Sequence, residues 1–290
     1  SAPARTRPDA GPADRHHSCA MGFIGSNTVA LVTGGSRGLG LAAARGIGRR
    51  GARVIVLGRE NSRVTAAAAE LVDDGVEAIP VAADVADPAS LAQAADAVAH
   101  VGPPDVLVLS AGVMSAKMTR TMRTSPDEWQ RVMSINLDGA FYSIETFAQD
   151  LVKNRSGRVI ALSACLGRFT GPGTSGGLAP YRISKAGVNA LVRNFAAEMQ
   201  WGQRGVLVDA VCPGHCRTDM GGPDAPRSAE EGAETIVWLA DRDATDDEGN
   251  VVPTGVLWEH RQIVLWRWIN DRRNALSGDH PRLLAPARNA

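Results

Sequence analysis

Tyrosine and lysine are scarce in this sequence, and where they meet they could do chemistry. Its 290 residues include two tyrosines and three lysines, against 28 arginines. One of each stands four apart in the stretch YRISKAGVNAL, residues 181–191. On a helix, positions i and i+4 lie one turn apart on the same face, so Tyr181 and Lys185 point the same way. An ammonium beside a phenol favours phenolate and lowers a pKa that is ordinarily about 10, each unit being worth roughly 1.4 kcal/mol. Y-x-x-x-K is also common on plain amphipathic helices. The pair acquires meaning only through the elements that position it.

Those elements alternate from Thr28 onward. Short β-branched runs (TVALVT, RVIVLG, EAIPVA, VLVLS, RVIALS and LVDAVC) are separated by alanine-rich or amphipathic helical stretches. Two helix starts carry capping boxes, Ser125 to Glu128 and Ser228 to Glu231. Strands alternating with helices imply an α/β fold, a doubly wound parallel sheet with helices on both faces. One domain over residues 26–268 accounts for this pattern. Residues 1–25 have no periodic apolar pattern and no signal-peptide core, and are expected to be a disordered leader or an appended remnant, with Met21 a candidate start. Residues 269–290 read as a polar surface tail.

Composition narrows the function classes. A hydrophobic share of 44% and a charged share of 21% are ordinary for a globular chain. Zero net charge without a long basic run argues against nucleic acid or an anionic membrane as partner. No apolar stretch reaches the ~20 residues needed to span a bilayer. Four cysteines do not make a disulfide framework in so long a chain. Cys212 and Cys216 lack companion ligands at metal-binding spacing, so no metal is expected and the thiols read as reduced, in a cytoplasmic protein.

A G-x-G-x-x-G pattern occurs at Gly46 to Gly51, but it closes a helix and precedes a strand, the wrong context for a dinucleotide site. Gly51 is better read as a helix C-cap. The right context is ALVTGGSRGLGLAAA, where a strand runs into Gly34, Gly35, Gly38 and Gly40 and a helix follows. Glycines there let backbone approach a pyrophosphate at the helix N-terminus, where N–H groups and the dipole favour anions. An NAD site places a carboxylate at the end of the second strand. Here that strand ends in Gly58 and Arg59, Glu60 comes late, and Arg37 sits in the glycine turn. Two guanidinium groups suit a 2′-phosphate, so NADP(H) is the expected cofactor.

With these residues in place the chain resembles the short-chain dehydrogenases/reductases over about residues 27–260. The resemblance rests on T-G-x-x-x-G-x-G at Thr33 to Gly40, Asp84 after the third strand, Asn136 in SINLDGAF, Ser163 after RVIAL, the Tyr181/Lys185 pair, and PGHCRTDM at 213–220. The later segments look like the carbonyl-reductase-like branch. The resemblance implies a single-domain Rossmann-type fold and an NADPH-dependent reduction of a ketone. Tyr181 would be the general acid and Lys185 would tune it and bond the nicotinamide ribose. Ser163 would hold the carbonyl oxygen, and Asn136 would position a water linking Lys185 to solvent. The implied cofactor residues are Gly34, Ser36, Arg37, Gly38, Leu39, Gly40, Arg59, Asp84 (at the adenine), Val85, Ser110, Ala111, Gly112, Tyr181, Lys185, Pro213, Gly214 and Thr218.

Two departures from the family pattern stand out. The usual Asn-Ala-Gly is Ser110-Ala111-Gly112, with the serine expected to bond neighbouring backbone. The segment from Ser163 to Tyr181 is lengthened by RFTGPGTSGGLAP, an enlarged loop that leaves both a homo-oligomer and a monomer open. Three segments are expected to line the substrate pocket through Met114, Met118, Cys165, Leu166, Phe169, His215 and Met220. Methionine and Phe suit a bulky, largely apolar ketone, while Arg168 and Arg217 leave room for an acidic edge. Alternatives are an NADP-linked alcohol dehydrogenase, dehydratase or cyclase on the same fold, or a catalytically silent NADP-binding regulator.

Overall fold

A computed structural model describes residues 22–115 and 120–265. Seven parallel strands form one sheet: β1 (Val29–Thr33), β2 (Arg53–Gly58), β3 (Ala78–Ala82), β4 (Val106–Leu109), β5 (Gly157–Leu162), β6 (Val206–Val211) and β7 (Leu257–Glu259). An eighth, β8 (Gln262–Val264), turns back antiparallel on β7, and the order is β3-β2-β1-β4-β5-β6-β7-β8. This is the expected doubly wound sheet with one addition. The three-residue strands β7 and β8 were not among the runs read from the sequence.

The order reverses between β1 and β4, so a crevice opens where their carboxyl ends diverge, the usual ligand site of such sheets. Burial on both faces explains why the strands read as continuous apolar runs. Leu31, Ile55, Leu107 and Val208 point to one core, while Val32, Val54, Val108 and Ile160 point to the other. The first core is covered by α3 (Pro88–Val98), α5 (Gly139–Phe147), α6 (Gln149–Asn154) and α7 (Ala179–Glu198), through Leu91, Phe147, Leu151 and Val188. The second is covered by α1 (Gly38–Gly48), α2 (Asn61–Asp73) and α8 (Ala229–Asp241), through Ile47, Val64 and Ile236.

Both helix starts are capped by their serine, and at Ser228 the full capping box is present. Ser228 Oγ accepts from Glu231 N–H and Glu231 answers at the Ser228 N–H, closing the box ahead of α8. Ser125 Oγ caps α4 (Pro126–Met133) through Glu128 N–H, while the Glu128 carboxylate also holds Arg131. Two readings need correction. Helix α1 already ends at Gly48, so Gly51, at φ +106°, is not the cap; it closes the following turn, donating to Gly48 O at 2.8 Å. The boundary at residue 26 is also too late. Phe23 N–H donates to Asp241 O at 2.8 Å, Ile24 is buried, and the Arg158 guanidinium lies 3.7 Å from the Phe23 ring centroid. Leader residues 1–21 and the tail, 269–290, lie outside the described ones. Among the described residues no helix is long and apolar enough to cross a membrane.

Candidate active site

One cavity of about 850 Å³ runs along the carboxyl ends of β1, β2, β4, β5 and β6. Every residue assigned above to the cofactor lines it, as do Ser163, Met114, Cys165, Leu166, His215 and Met220. Phe169 does not. Past Arg168 the enlarged loop heads toward the end of β8, where Thr170 Oγ1 donates to Leu265 O at 3.0 Å, and Phe169 is left 53% exposed. Met118 lies outside the described residues.

At the β1 end the cavity is built from backbone. Gly34 has φ +63°, and a Cβ there would fall 2.8 Å from Ala111 Cα; one on Gly40 would fall 2.3 Å from Gly34 O. The N-cap of α1 is Arg37, whose side chain makes no cap bond, so the first-turn N–H groups face the cavity. A cradle of this shape with uncapped donors fits a pyrophosphate. Thr33 locks its far wall, its Oγ1 accepting from Ser110 N–H at 3.1 Å and Ala111 N–H at 3.2 Å. The expectation for Ser110 changes accordingly. Its hydroxyl makes no hydrogen bond within the described residues, and the tie to neighbouring backbone runs through Thr33 instead.

Charges gather at the end of β2. Arg37 Nη1 pairs with Asp219 at 2.5 Å, both side chains well exposed, and Arg59 is exposed beside it. Glu60 is taken by Arg63 at 2.8 Å. Asp84 Oδ1 accepts from Ala86 N–H at 3.0 Å, and Val85 packs beneath Gly139. Sequence reasoning missed Asp219 and Arg63, whose roles depend on contacts across the fold rather than on a motif. Thr33 is the exception: it opens the glycine motif, and its place at the strand end is a legible signal.

At the β5 end the side chains are buried and interlocked. On α7, Tyr181, Ser184, Lys185, Val188, Asn189 and Val192 form one buried face, with the tyrosine and lysine on it as the i, i+4 spacing predicts. Leu178 precedes the helix at φ +54°, pinned by packing with Val132 and Tyr181. Lys185 Nζ donates to Leu162 O at 2.6 Å and lies 5.9 Å from the Tyr181 ring centroid. Ser163 Oγ donates to Lys185 O at 3.3 Å. Asn136 sits in a π-turn, Ser134–Asp138, between α4 and α5, a local irregularity frequent at functional sites. Its Oδ1 accepts from Val113 N–H at 2.7 Å, and its Nδ2 donates to Val113 O and Ser184 Oγ, both at 3.0 Å. Its side chain is thus a clamp joining the loop after β4 to α7, and it does not line the cavity.

The electrostatics revise the opening expectation. Burial pushes the Tyr181 phenol well above its ordinary range, with smaller contributions from Cys212 and Cys165. Lysine does not lower it here, because the ammonium is turned to the Leu162 carbonyl. Burial also lowers Lys185 to about 8. The phenol is therefore fully protonated at neutral pH, with a cation held behind it.

The remaining polar groups of the wall are committed to the protein. His215 Nε2 donates to Gly221 O at 2.8 Å, and Arg217 Nη1 donates to the carbonyls of Ala225 and Pro226. Cys212 and Cys216 sulfurs turn to different partners, Glu259 and the Pro213 carbonyl.

Comparison with known proteins gives the chain its relatives. Residues 28–229 match the family model described as short chain dehydrogenase. A 3-oxoacyl-[acyl-carrier-protein] reductase from Synechocystis sp. is 36% identical over 197 residues, covering 66% of this chain and 75% of that one. A galactitol 2-dehydrogenase (L-tagatose-forming) from Cereibacter sphaeroides is 34% identical over 191 residues, covering 66% and 72%. Among solved structures, an actinorhodin polyketide ketoreductase with NADPH superposes with a TM-score of 0.70 at 26% identity, covering 82% of this chain and 97% of that one.

Proposed function

Because the chain belongs to the short-chain dehydrogenase/reductase family of oxidoreductases, we propose that it reduces a bulky, largely apolar ketone with NADPH, Tyr181 giving the proton. The observation that carries this reading is the continuity of one cavity from the glycine cradle to the buried Tyr181, Lys185 and Ser163. When bound, the dinucleotide supplies the hydride. The protein's task is the oxygen. Tyr181 holds a proton that burial keeps on the phenol at neutral pH, and passes it to the carbonyl oxygen as negative charge develops there. Ser163, whose Oγ bonds only the Lys185 carbonyl among the described residues, at 3.3 Å, can turn to donate to the same oxygen. Lys185 stands behind the phenol to offset the charge left on it.

Preference for the phosphorylated cofactor rests on Arg37 and Arg59 beside Gly58, where a carboxylate would favour NAD. The exposed Arg37–Asp219 pair contributes little by itself and can exchange for a phosphate. Preference for an apolar ketone rests on Val113, Met114, Leu166 and Met220 at the cavity wall. A polyol would need free donors and acceptors, whereas His215 and Arg217 already bond the protein's own carbonyls. Calorimetric titration of the full chain should give at least tenfold tighter binding of NADPH than NADH, about 1.4 kcal/mol. Arg37→Ala with Arg59→Ala should erase the difference. Equal affinities in the wild type would overturn the cofactor assignment.

A further inference from the structure

Asp219 lines the cavity at its cofactor end, yet the mechanism gives it no part. It belongs to the segment between β6 and α8. The guanidinium groups of this cavity end differ in what holds them. Arg63 pairs with Glu60 one turn away at 2.8 Å, and Arg45 pairs with Glu70 and Asp74, on α2 and at its end. Arg217 bonds the Ala225 and Pro226 carbonyls of its own segment. Arg59 makes no ion pair among the described residues. Arg37 differs: its Nη1 donates to Asp219 Oδ2 at 2.5 Å, joining the glycine turn to the segment after β6. On the basis of the NADPH reading, we infer that Asp219 is a specificity-determining residue. Its carboxylate competes with the cofactor's 2′-phosphate for Arg37 and so limits the preference for NADPH.

Asp219 is presented at a fixed place. Thr218 Oγ1 accepts from Gly221 N–H at 3.1 Å and Thr218 O from Gly222 N–H at 2.8 Å, closing a tight turn around it. His215 Nε2 donates to Gly221 O and braces the same turn. Thr218 also rests against the glycine turn, since a Cβ on Gly38 would fall 3.1 Å from its Cγ2. Arg37, by contrast, is long, makes no cap bond with α1 and has its side chain largely in water. The arginine can swing to an arriving phosphate, while the carboxylate stays beside the new charge.

Two effects then act on NADPH with the same sign. The Arg37–Asp219 pair must open, and a carboxylate is left near a phosphate. Neither applies to a cofactor whose ribose bears a 2′-hydroxyl. A group that lowers affinity for one cofactor alone changes specificity, which is a difference of two affinities. Exposure bounds the size. The two side chains are 58% and 75% exposed, so the effect is a few-fold and salt screens it. Arg59 stays free for the phosphate throughout, so the pairing reduces the preference without reversing it.

Calorimetric titration of the full chain with NADPH and with NADH, for wild type and Asp219→Asn, tests this. The variant should bind NADPH about three- to fivefold more tightly and NADH within about twofold of wild type, and Asp219→Ala should do the same. At about 0.5 M salt the gain should shrink to about twofold or less. Glu60→Gln removes a carboxylate of the same cavity end that Arg63 holds instead, and should shift the ratio of affinities by less than about twofold. An unchanged ratio in Asp219→Asn, or equal tightening of both cofactors, would overturn the role of Asp219, as would an equal shift in Glu60→Gln. Equal wild-type affinities would instead overturn the NADPH reading, and a ratio that still rises in Asp219→Asn would leave the role of Asp219 standing.

Discussion

The two ends of the cavity are built by opposite means. At the β1 end the donors are main-chain N–H groups and the charges are exposed, as in the Arg37–Asp219 pair. At the β5 end the working groups are side chains, nearly all buried, each held by another: Lys185 by Leu162 O, Ser163 by Lys185 O, Asn136 by Val113 and Ser184. A pyrophosphate needs many modest donors in a fixed curve, which backbone supplies at low cost. A proton transfer needs one group whose pKa is governed by its surroundings, which requires burial. The ends should therefore fail separately, one in affinity and the other in rate.

The largest separation is expected from Tyr181→Phe. Removing a positioned general acid costs about two to four orders of magnitude in turnover, while NADPH affinity, measured by titration, should stay within about threefold because the hydroxyl serves the substrate. Retention of a tenth of the activity would require another acid.

Gly40→Ala should do the reverse. Its Cβ would lie 2.3 Å from Gly34 O and 3.0 Å from Ser110 Oγ, so the cradle must shift. Overpacking of this kind costs about 1–3 kcal/mol, or roughly ten- to hundredfold in NADPH affinity. Saturating cofactor should recover much of the turnover, and a loss that saturation leaves untouched would mean the ends are not separable.

A smaller effect follows from pH. Lys185, with its pKa lowered to about 8, keeps its ammonium at pH 7 and loses most of it by pH 9. If that charge offsets the phenolate, kcat for reduction should fall about tenfold over this interval, as for a single titrating group, and the fall should vanish in Lys185→Met. The stability sign runs the other way. A base whose folded pKa lies below its ordinary 10.5 is held charged at a cost below about pH 8, and that cost is relieved as pH rises toward 10.5. Wild type should therefore gain stability relative to Lys185→Met between pH 8 and 10, as read by thermal melts.

The β1 end was legible because its signal is local: a strand, four glycines in seven residues and a helix follow in order, and the strand, turn and helix form as read. Glycine content alone misleads. The stretch GPGTSGG after Phe169 is as rich, yet a Cβ on Gly176 would meet nothing within 4 Å, and the loop leads away from the site. Phe169 was therefore misplaced, since its distance from Ser163 along the chain carries no direction. Spacing put Tyr181 and Lys185 on one face but could not show where the ammonium ends. That depends on the Leu162 carbonyl, 23 residues away. The Arg37–Asp219 pair spans 182 residues and has no local trace. Strands β7 and β8 escaped notice because three residues are too few to show a period.

What the cavity turns over is the most direct test of its chemistry. Initial rates of NADPH oxidation by the full chain, with 1-tetralone and with acetone over a range of concentrations, compare a bulky apolar ketone with a small one. The predicted result is a kcat/KM for 1-tetralone at least tenfold higher, equivalent to about 1.4 kcal/mol of additional transition-state binding. A preference for acetone, or turnover confined to NADP-linked oxidation of galactitol, would contradict it.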